Sequence, residues 1–423
     1  MMKGTLIHED NRAITVTPLS GPFPAPLSYL LTFDNARILL DCGSFSVPST
    51  SSTASNTSTS SSYYRTLSEL APTLHLVLLS HPVLSSVGCL PWLKAKCGLR
   101  CPVYATLPTR EFGRWAVEEW IDARSTEQEN DARLSDSLVD RKRKKKKKKR
   151  RRVDSNLRGD DHVDEHPPAA AGDDDDDDGE EADDDDDIVD EVWQLTKEQV
   201  ADAFLSVNAV RWSQPVHLAG PLKGYTMMAH RSGHTLGGAL YTLRPSLSSS
   251  LSPASSTSSF LYAPIFNHIK EHHLDSAALL QGAKIADTMR RMGVVVIGAE
   301  RSTATNAKRV DREKNFLALL TQTLDNGGSV MLPSDSSARL LELLVLLESH
   351  WAYWNLGARY PLVLISRTGK SVISFVRSLT EWMGGQMNQA NAERVLRFSF
   401  VILTCYPRSV SMIFDIGENV TAM

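Results

Sequence analysis

The chain has 423 residues, 42% of them hydrophobic, and a formal net charge of −4. That size excludes a minimal stapled module and leaves room for large cores in about two or three domains. No stretch approaches the roughly 20 apolar residues of a membrane span, and Met1-Met2-Lys3-Gly4-Thr5 lacks the apolar core of a signal peptide, so a soluble intracellular chain is expected.

In chain order, Ile14-Thr15-Val16-Thr17-Pro18 alternates and predicts a strand, followed by short apolar runs at 28–33 and 37–40. Residues 44–62 are rich in serine and threonine and predict a surface loop lengthened by insertion. Leu74-His75-Leu76-Val77-Leu78-Leu79 is nearly continuous in apolar residues, the pattern of a strand buried on both faces. A helix over 84–96, a strand over 102–105 and a helix over 111–122 follow. Cys42, Cys89, Cys97, Cys101 and Cys405 are odd in number and contain no CxxC pair, which argues against a disulfide framework or a structural zinc knot. Cys97 and Cys101 have no second ligand pair and read as ordinary thiols.

The small net charge conceals two blocks of opposite sign. Residues 141–152 read RKRKKKKKKRRR and residues 173–187 read DDDDDDGEEADDDDD. Such density of like charge cannot bury apolar area, so disorder is expected over 125–190, interrupting a folded domain between helical segments at 111–122 and 192–200. The basic run, with Arg141, Lys142, Arg143, Lys144, Lys149, Arg150, Arg151 and Arg152, fits nuclear import or contact with nucleic-acid phosphates. A solvated insert whose charge blocks partly neutralise each other is the plainer reading.

Beyond the insert, strands are predicted at 216–218, 225–230, 239–243, 260–264 and 294–297, with a second serine-rich loop at 246–259. After Glu300 the rhythm changes. A helix over 307–324, a strand over 329–332, a helix over 336–350, a strand over 361–365 and a helix over 370–387 predict a parallel α/β sheet, and therefore a second domain from about residue 304.

At this point the residues carry a resemblance. Arg37-Ile38-Leu39-Leu40-Asp41-Cys42-Gly43, Leu78-Leu79-Ser80-His81-Pro82, Cys101-Pro102-Val103-Tyr104-Ala105-Thr106 and Gly233-His234-Thr235-Leu236-Gly237-Gly238 resemble, in order, the motifs of the αββα metallo-β-lactamase fold. Ala299-Glu300-Arg301-Ser302 and Gly328-Ser329-Val330-Met331-Leu332-Pro333, running into Ala338-Arg339-Leu340-Leu341-Glu342-Leu343, resemble the β-CASP domain inserted in RNA and DNA nucleases of that fold. The resemblance implies an α/β protein with a metallo-β-lactamase-like domain over 1–303, a partial β-CASP domain over 304–400 and an atypical tail over 401–423. It also implies a longer family chain, so that a C-terminally truncated protein exposing apolar surface is expected.

Active members hold two zinc ions, which clamp the attacking hydroxide and the scissile phosphate through several deprotonated side chains. Carried onto this chain, the resemblance places Asp41, His81 and His234 at retained ligand positions. Val83, Ser85 and Ser86 stand where the loop's other ligands belong, and Ile265 replaces an aspartate after a strand. Valine and isoleucine have no lone pair to donate, and a serine hydroxyl is a poor zinc ligand at neutral pH. No bound metal or other cofactor is therefore expected. In the plainer reading His81 and His234 satisfy hydrogen bonds in a polar pocket and Asp41 pins the adjacent loop.

This loss pattern, together with Thr17-Pro18-Leu19-Ser20-Gly21 and Phe266-Asn267-His268-Ile269-Lys270-Glu271, is similar to the non-catalytic β-CASP subunit family of the cleavage and polyadenylation machinery. The resemblance implies a nuclear, membrane-free structural subunit that supports an active β-CASP endonuclease beside a scaffold protein and contacts pre-mRNA. Two alternatives remain open at this point. One is an active metal-dependent RNA phosphodiesterase or hydrolase using Asp41, His81, His234 and Glu300; the other is a nucleic-acid-binding module run by residues 141–152.

Overall fold

The computed structural model describes residues 5–9, 12–21, 26–33, 35–45, 55–126, 133, 188, 191–246, 259–281, 284–299, 305, 307–334, 339–385, 387 and 401–403. The charged runs at 141–152 and 173–187 lie outside these residues, as do Glu300 and nearly all of 246–259.

Two sheets form the centre. The first has seven strands in sequential order: β1 Thr5–Glu9, β2 Arg12–Pro18, β3 Tyr29–Phe33, β4 Ala36–Leu40, β5 Leu76–Leu78, β6 Val103–Thr106 and β7 Asn208–Val210. β1 to β4 run antiparallel, and β4 to β7 are parallel. The second sheet contains β8 Pro215–His217, β9 Tyr225–Arg231, β10 Ala239–Pro245, β11 Phe260–Ala263 and β14 Val294–Ile297, ordered β14-β11-β10-β9-β8. Between β11 and β14 lies the short hairpin of β12 Leu280–Gln281 and β13 Lys284–Ile285.

Strand periodicity explains how the layers close. Ile38, Leu40, Leu76 and Leu78 point toward the second sheet and pack with Met227, Ala229, Tyr241, Phe260 and Tyr262. Their neighbours Leu39 and Val77 point the other way, into a core with Tyr63, Tyr64, Leu67, Trp92, Val117 and Phe204. This double burial accounts for the unbroken apolar run at 74–79. The helices on that outer face are α1 Ser55–Leu70, α2 Leu84–Val87, α3 Leu90–Ala95, α4 over 107–126 and α5 Lys197–Leu205.

Several boundaries differ from expectation for local reasons. Residues 55–62, expected within a loop, form the first half of α1, where Ser60 and Ser61 are buried beside Tyr63 and Tyr64; tertiary packing overrides the modest helix propensity of serine. The helix expected over 84–96 is split at Gly88 and Cys89. Gly88 is fixed there because a Cβ would lie 2.7 Å from both the Leu84 carbonyl oxygen and the Ser44 Cβ. Helix α4 runs through Thr126, past the expected start of the insert, and the helix expected from 192 begins at Lys197, where Thr196 and Gln199 form a capping box. β1 and β7 had no strong sequence signal.

The C-terminal part contains α6 Arg309–Asp325, α7 Leu340–Trp354, β15 Val363–Ile365, α8 Gly369–Ser378 and β16 Val401–Leu403, with β15 and β16 parallel. Residues 329–332 are irregular, with Met331 88% exposed: no strand among the described residues pairs with them, although Leu332 packs against the cluster of Leu320, Leu347, Trp351 and Leu356. The helix expected over 370–387 ends at Ser378, before the short turn Thr380–Trp382. α7 and α8 pack on α4 through Phe112, Trp115, Leu341, Leu344, Ile373 and Val376. Glu119 of α4 also accepts hydrogen bonds from Ser366 and from the Thr368 backbone N–H at the start of α8.

Phe112 is fully buried and stacks edge-on against Phe375. Truncating it leaves a cavity on both sides of this contact, so Phe112→Ala is expected to cost about 3–5 kcal/mol, measured by chemical denaturation.

Candidate functional site

The ends of β4, β5, β9 and β11 converge beside one another, and the residues just past them line a buried polar site. Asp41 follows β4 with φ at 59°, a left-handed conformation that an aspartate tolerates better than most residues. Its N–H donates to the Leu78 carbonyl at 2.8 Å, and its carboxylate takes three donors, each at 2.6 Å: the Ser80 N–H, the Ser80 hydroxyl and the Tyr262 hydroxyl. Burial outweighs these bonds and pushes the Asp41 carboxyl up to about 7.

Ser80 passes the network to His81, whose Nδ1 lies 2.9 Å from the Ser80 Oγ. The His81 Nε2 lies 3.2 Å from the Ser232 Oγ, and Ser232 in turn receives the His234 backbone N–H at 3.4 Å. The His81 and His234 rings are 5.9 Å apart, edge to face. Burial, reinforced by His234, holds His81 well below the usual imidazole range. The buried site thus joins a raised carboxyl and a depressed imidazole through hydroxyls.

The turn carrying His234 is closely fitted. Gly237 has φ at 80°, and its carbonyl accepts from Thr106 at 2.6 Å and Thr109 at 3.2 Å. A Cβ on Gly238 would lie 2.5 Å from both the Ser232 and Thr235 hydroxyls and 3.0 Å from the His81 ring. The GHTLGG spacing therefore serves close backbone approach as much as histidine placement.

The remaining predicted positions serve the backbone. Val83 precedes α2, and its carbonyl accepts the N–H groups of Ser86 and Val87. The Ser85 carbonyl takes the Leu27 N–H at 2.7 Å, and the Ser86 carbonyl takes the Cys42 N–H at 2.9 Å. The Ser86 hydroxyl is buried without a hydrogen-bond partner among the described residues. Ile265 is half-buried past β11, close enough for its backbone to act on His81.

This donor set does not fit a two-metal centre. Asp41 and His81 are engaged by hydroxyls, and Val83 and Ile265 offer no ligand atom. Among the described residues, the groups of three close-set side chains of a type that could hold a metal are Glu271, His273 and Glu342, and His272, Glu313 and Glu342; neither includes Asp41, His81 or His234.

Those carboxylates are held by arginines, and the imidazoles in turn by carboxylates. Arg339 donates to Glu271 at 2.8 and 2.9 Å and to the His234 carbonyl at 2.7 Å, while Arg309 reaches Glu313 at 2.5 Å and Glu342 at 3.2 Å. Glu342 also takes His273 Nδ1 at 2.6 Å. Burial opposes the charge on Glu342, but His273 and the His272 N–H outweigh it and hold the carboxyl at about 2. The network ties the loop after β11 to α6 and α7. Ser80, Ser232, Tyr262, Glu271 and Arg339 were not foreseen as members of this site; for Tyr262, a tyrosine within the buried run Phe260-Leu261-Tyr262-Ala263 already required a partner for its hydroxyl.

The two-sheet fold, with a buried polar site past its strand ends, is that of a metallo-β-lactamase-like protein. The Metallo-beta-lactamase superfamily domain model matches residues 30–147 and 182–296, more than half of the chain, and the chain belongs to that superfamily. Among curated proteins it is similar to cleavage and polyadenylation specificity factor subunit 2 of Arabidopsis thaliana, 27% identical over 89% of this chain and 39% of the relative. The probable subunit 2 of Drosophila melanogaster is 25% identical over 86% of this chain and 37% of the relative. Cleavage factor two protein 2 of Schizosaccharomyces pombe is 33% identical over 45% of this chain and 23% of the relative. The chain thus spans well under half the length of these relatives. Among solved structures, the subclass B3 metallo-β-lactamase MEM-A1 aligns over 91% of this chain and 89% of its own at 14% identity, with a TM-score of 0.27, a likeness too loose to carry an argument.

Asp41 gives the site a pH signature. Its carboxyl rises from the ordinary 3.8 to about 7 on folding, so the stability it contributes is complete below about pH 4 and declines as pH rises to about 7. Asp41→Asn is expected to flatten this part of the stability profile, so that the variant gains on the native chain between those pH values. Urea midpoints measured in steps across the window check it; parallel profiles would count against the assignment.

Proposed function

We propose that this chain is a catalytically inactive, nuclease-like subunit of the pre-mRNA 3′-end cleavage and polyadenylation machinery. It supports the active β-CASP endonuclease subunit beside a scaffold protein, in the nucleus, and contacts pre-mRNA. The observation that carries the reading is the Tyr262–Asp41–Ser80–His81–Ser232 chain, in which hydroxyl groups take up side-chain atoms that a metal would need. The replacement of further ligand positions by Val83, Ser85, Ser86 and Ile265 supports the same conclusion. The printed names of the curated relatives supply the process. We assign residues 1–303 to the metallo-β-lactamase-like domain, with the charged insert inside it, and 304–400 to a partial β-CASP domain.

In this role the preserved core presents surfaces, and chemistry passes to the partner nuclease. The Arg339–Glu271 pair and the Arg339 contact with the His234 carbonyl favour a fixed relation between the degenerate site and α7, as a supporting subunit requires. The basic run at 141–152 supplies the charge for nuclear import or for phosphate contact.

The purified full chain is expected to carry well under one zinc by elemental analysis and to leave RNA substrates intact. About two zinc per chain, with RNA cleavage abolished by chelation, would overturn the reading in favour of an active metal-dependent phosphodiesterase. Deleting residues 141–152 is expected to shift a fluorescent fusion from nucleus to cytoplasm. Unchanged nuclear accumulation, seen by microscopy, would remove import from the role of that run.

A further inference from the structure

At the end of the first sheet remote from Asp41, an open depression is lined by Thr32, Asn35, Arg37, Thr73 and His75. Topology separates the two places. Asp41 and His81 lie past the C-terminal ends of β4 and β5, whereas Arg37 and His75 lie at their N-terminal ends. Thr32 and Arg37 pair across β3 and β4, so their side chains share a face. By the same alternation Leu30 and Leu39 belong to that face, where they join the core with Tyr63, Tyr64 and Leu67 of α1. Helix α1 ends at Leu70, and its cover ends with it.

Hydrogen bonds orient the groups that remain. The Arg37 backbone N–H donates to His75 Nδ1 at 3.1 Å. A neutral imidazole accepting at Nδ1 carries its hydrogen on Nε2, so His75 offers a donor on its other side. Arg37 Nη1 donates to Thr73 Oγ1 at 3.0 Å, and the Thr73 hydroxyl donates onward to the Leu70 carbonyl at 2.7 Å. The guanidinium is thereby tethered at one nitrogen, with further N–H groups in hand. No acidic side chain among the described residues lines the depression or pairs with Arg37; Asp34, in the β3–β4 turn, lies outside them.

We propose that this depression is an anion site for a phosphate group, supplied either by the backbone of single-stranded RNA or by free inorganic phosphate. A guanidinium, an imidazole N–H, the Thr32 hydroxyl and an asparagine amide make a cluster dominated by donors, and the planar fork of arginine matches two phosphate oxygens. Anchoring the guanidinium through Thr73 lowers the entropy lost on binding. The site is independent of the degenerate metal positions and does not rest on the functional reading above.

The test follows the histidine ring resonances of the full chain by NMR while inorganic phosphate, and separately a short oligouridylate, is added at constant ionic strength. The His75 signal is assigned by its loss in His75→Gln. A saturable shift of that signal is expected with phosphate, weakened about tenfold or more in Arg37→Gln, as loss of a charge-assisted contact requires. Arg37→Lys, which keeps the charge without the fork, is expected to fall between them. Because Arg37 also steadies the end of α1, an unchanged thermal midpoint and an unchanged buried His230 signal certify the fold of each variant. If RNA moves the His75 signal at lower concentration than phosphate, and Arg37→Gln weakens that response too, the phosphate is that of an RNA backbone. If phosphate alone does so, the site takes the free anion. No saturable shift with either probe, or shifts undiminished in a folded Arg37→Gln, would overturn the proposal.

Discussion

The two sheets are pinned together at the buried carboxylate of Asp41, and much of the surrounding structure depends on that contact. Apolar packing between sheets is non-directional and by itself would leave their relative placement loosely specified. The Tyr262 hydroxyl reaches Asp41 from the second sheet across 221 positions of sequence, and Ser80 binds the same carboxylate from the end of β5. Two further polar contacts lie alongside: Tyr241 donates to the Leu79 carbonyl at 2.8 Å, and the Ala239 N–H donates to the Ser80 carbonyl at 2.9 Å. The left-handed backbone at Asp41 costs roughly 1–2 kcal/mol, and the site holds it there through the bond to Leu78 and the three donors on its side chain. Directional bonds in a dry setting fix one alignment of the layers.

How much of this was legible in the sequence follows from which forces act locally. The run at 74–79, the alternation at 14–18 and the GHTLGG turn were readable because strand burial and tight turns impose residue patterns on neighbouring positions. Residues 55–62 were misread because their serines become helical only when Tyr63, Tyr64 and Leu67 find the sheet. Residues 329–332 have the composition of a strand, but in the described structure they have no strand partner, and composition says nothing about partners. In the site, Asp41, His81 and His234 announced themselves by motif, whereas Ser232 and Tyr262 did not. A hydroxyl bonded to a buried polar group leaves no spacing rule, because it needs only one acceptor nearby.

The chemistry around Asp41 and His81 follows one electrostatic logic. Carboxylates and imidazoles gathered around a metal repel one another or stay poorly solvated once the cation is gone, and a buried unpaired charge is among the costliest features a fold can carry. Here Val83 and Ile265 bring no ionisable side chain to the site, while Ser85 and Ser86 contribute backbone carbonyls to Leu27 and Cys42. Asp41 and His81 are shifted in opposite directions, Asp41 upward and His81 downward. Hydrogen bonds there add direction to the apolar packing between the sheets.

Charge reappears one layer out, where it can be matched. Glu271, Glu313 and Glu342 each face an arginine, and Glu342 stays ionised because His273 and two backbone N–H groups complete its shell. Arg339 joins the two regions, since the same guanidinium grips Glu271 and the carbonyl of His234. Moving α7 away from the turn would strip partners from a carboxylate that is only 8% exposed, and shifting the turn would withdraw the acceptor at His234. The helical part and the Asp41 site are thereby held as one unit, since neither can shift without stripping a buried polar group of its partner.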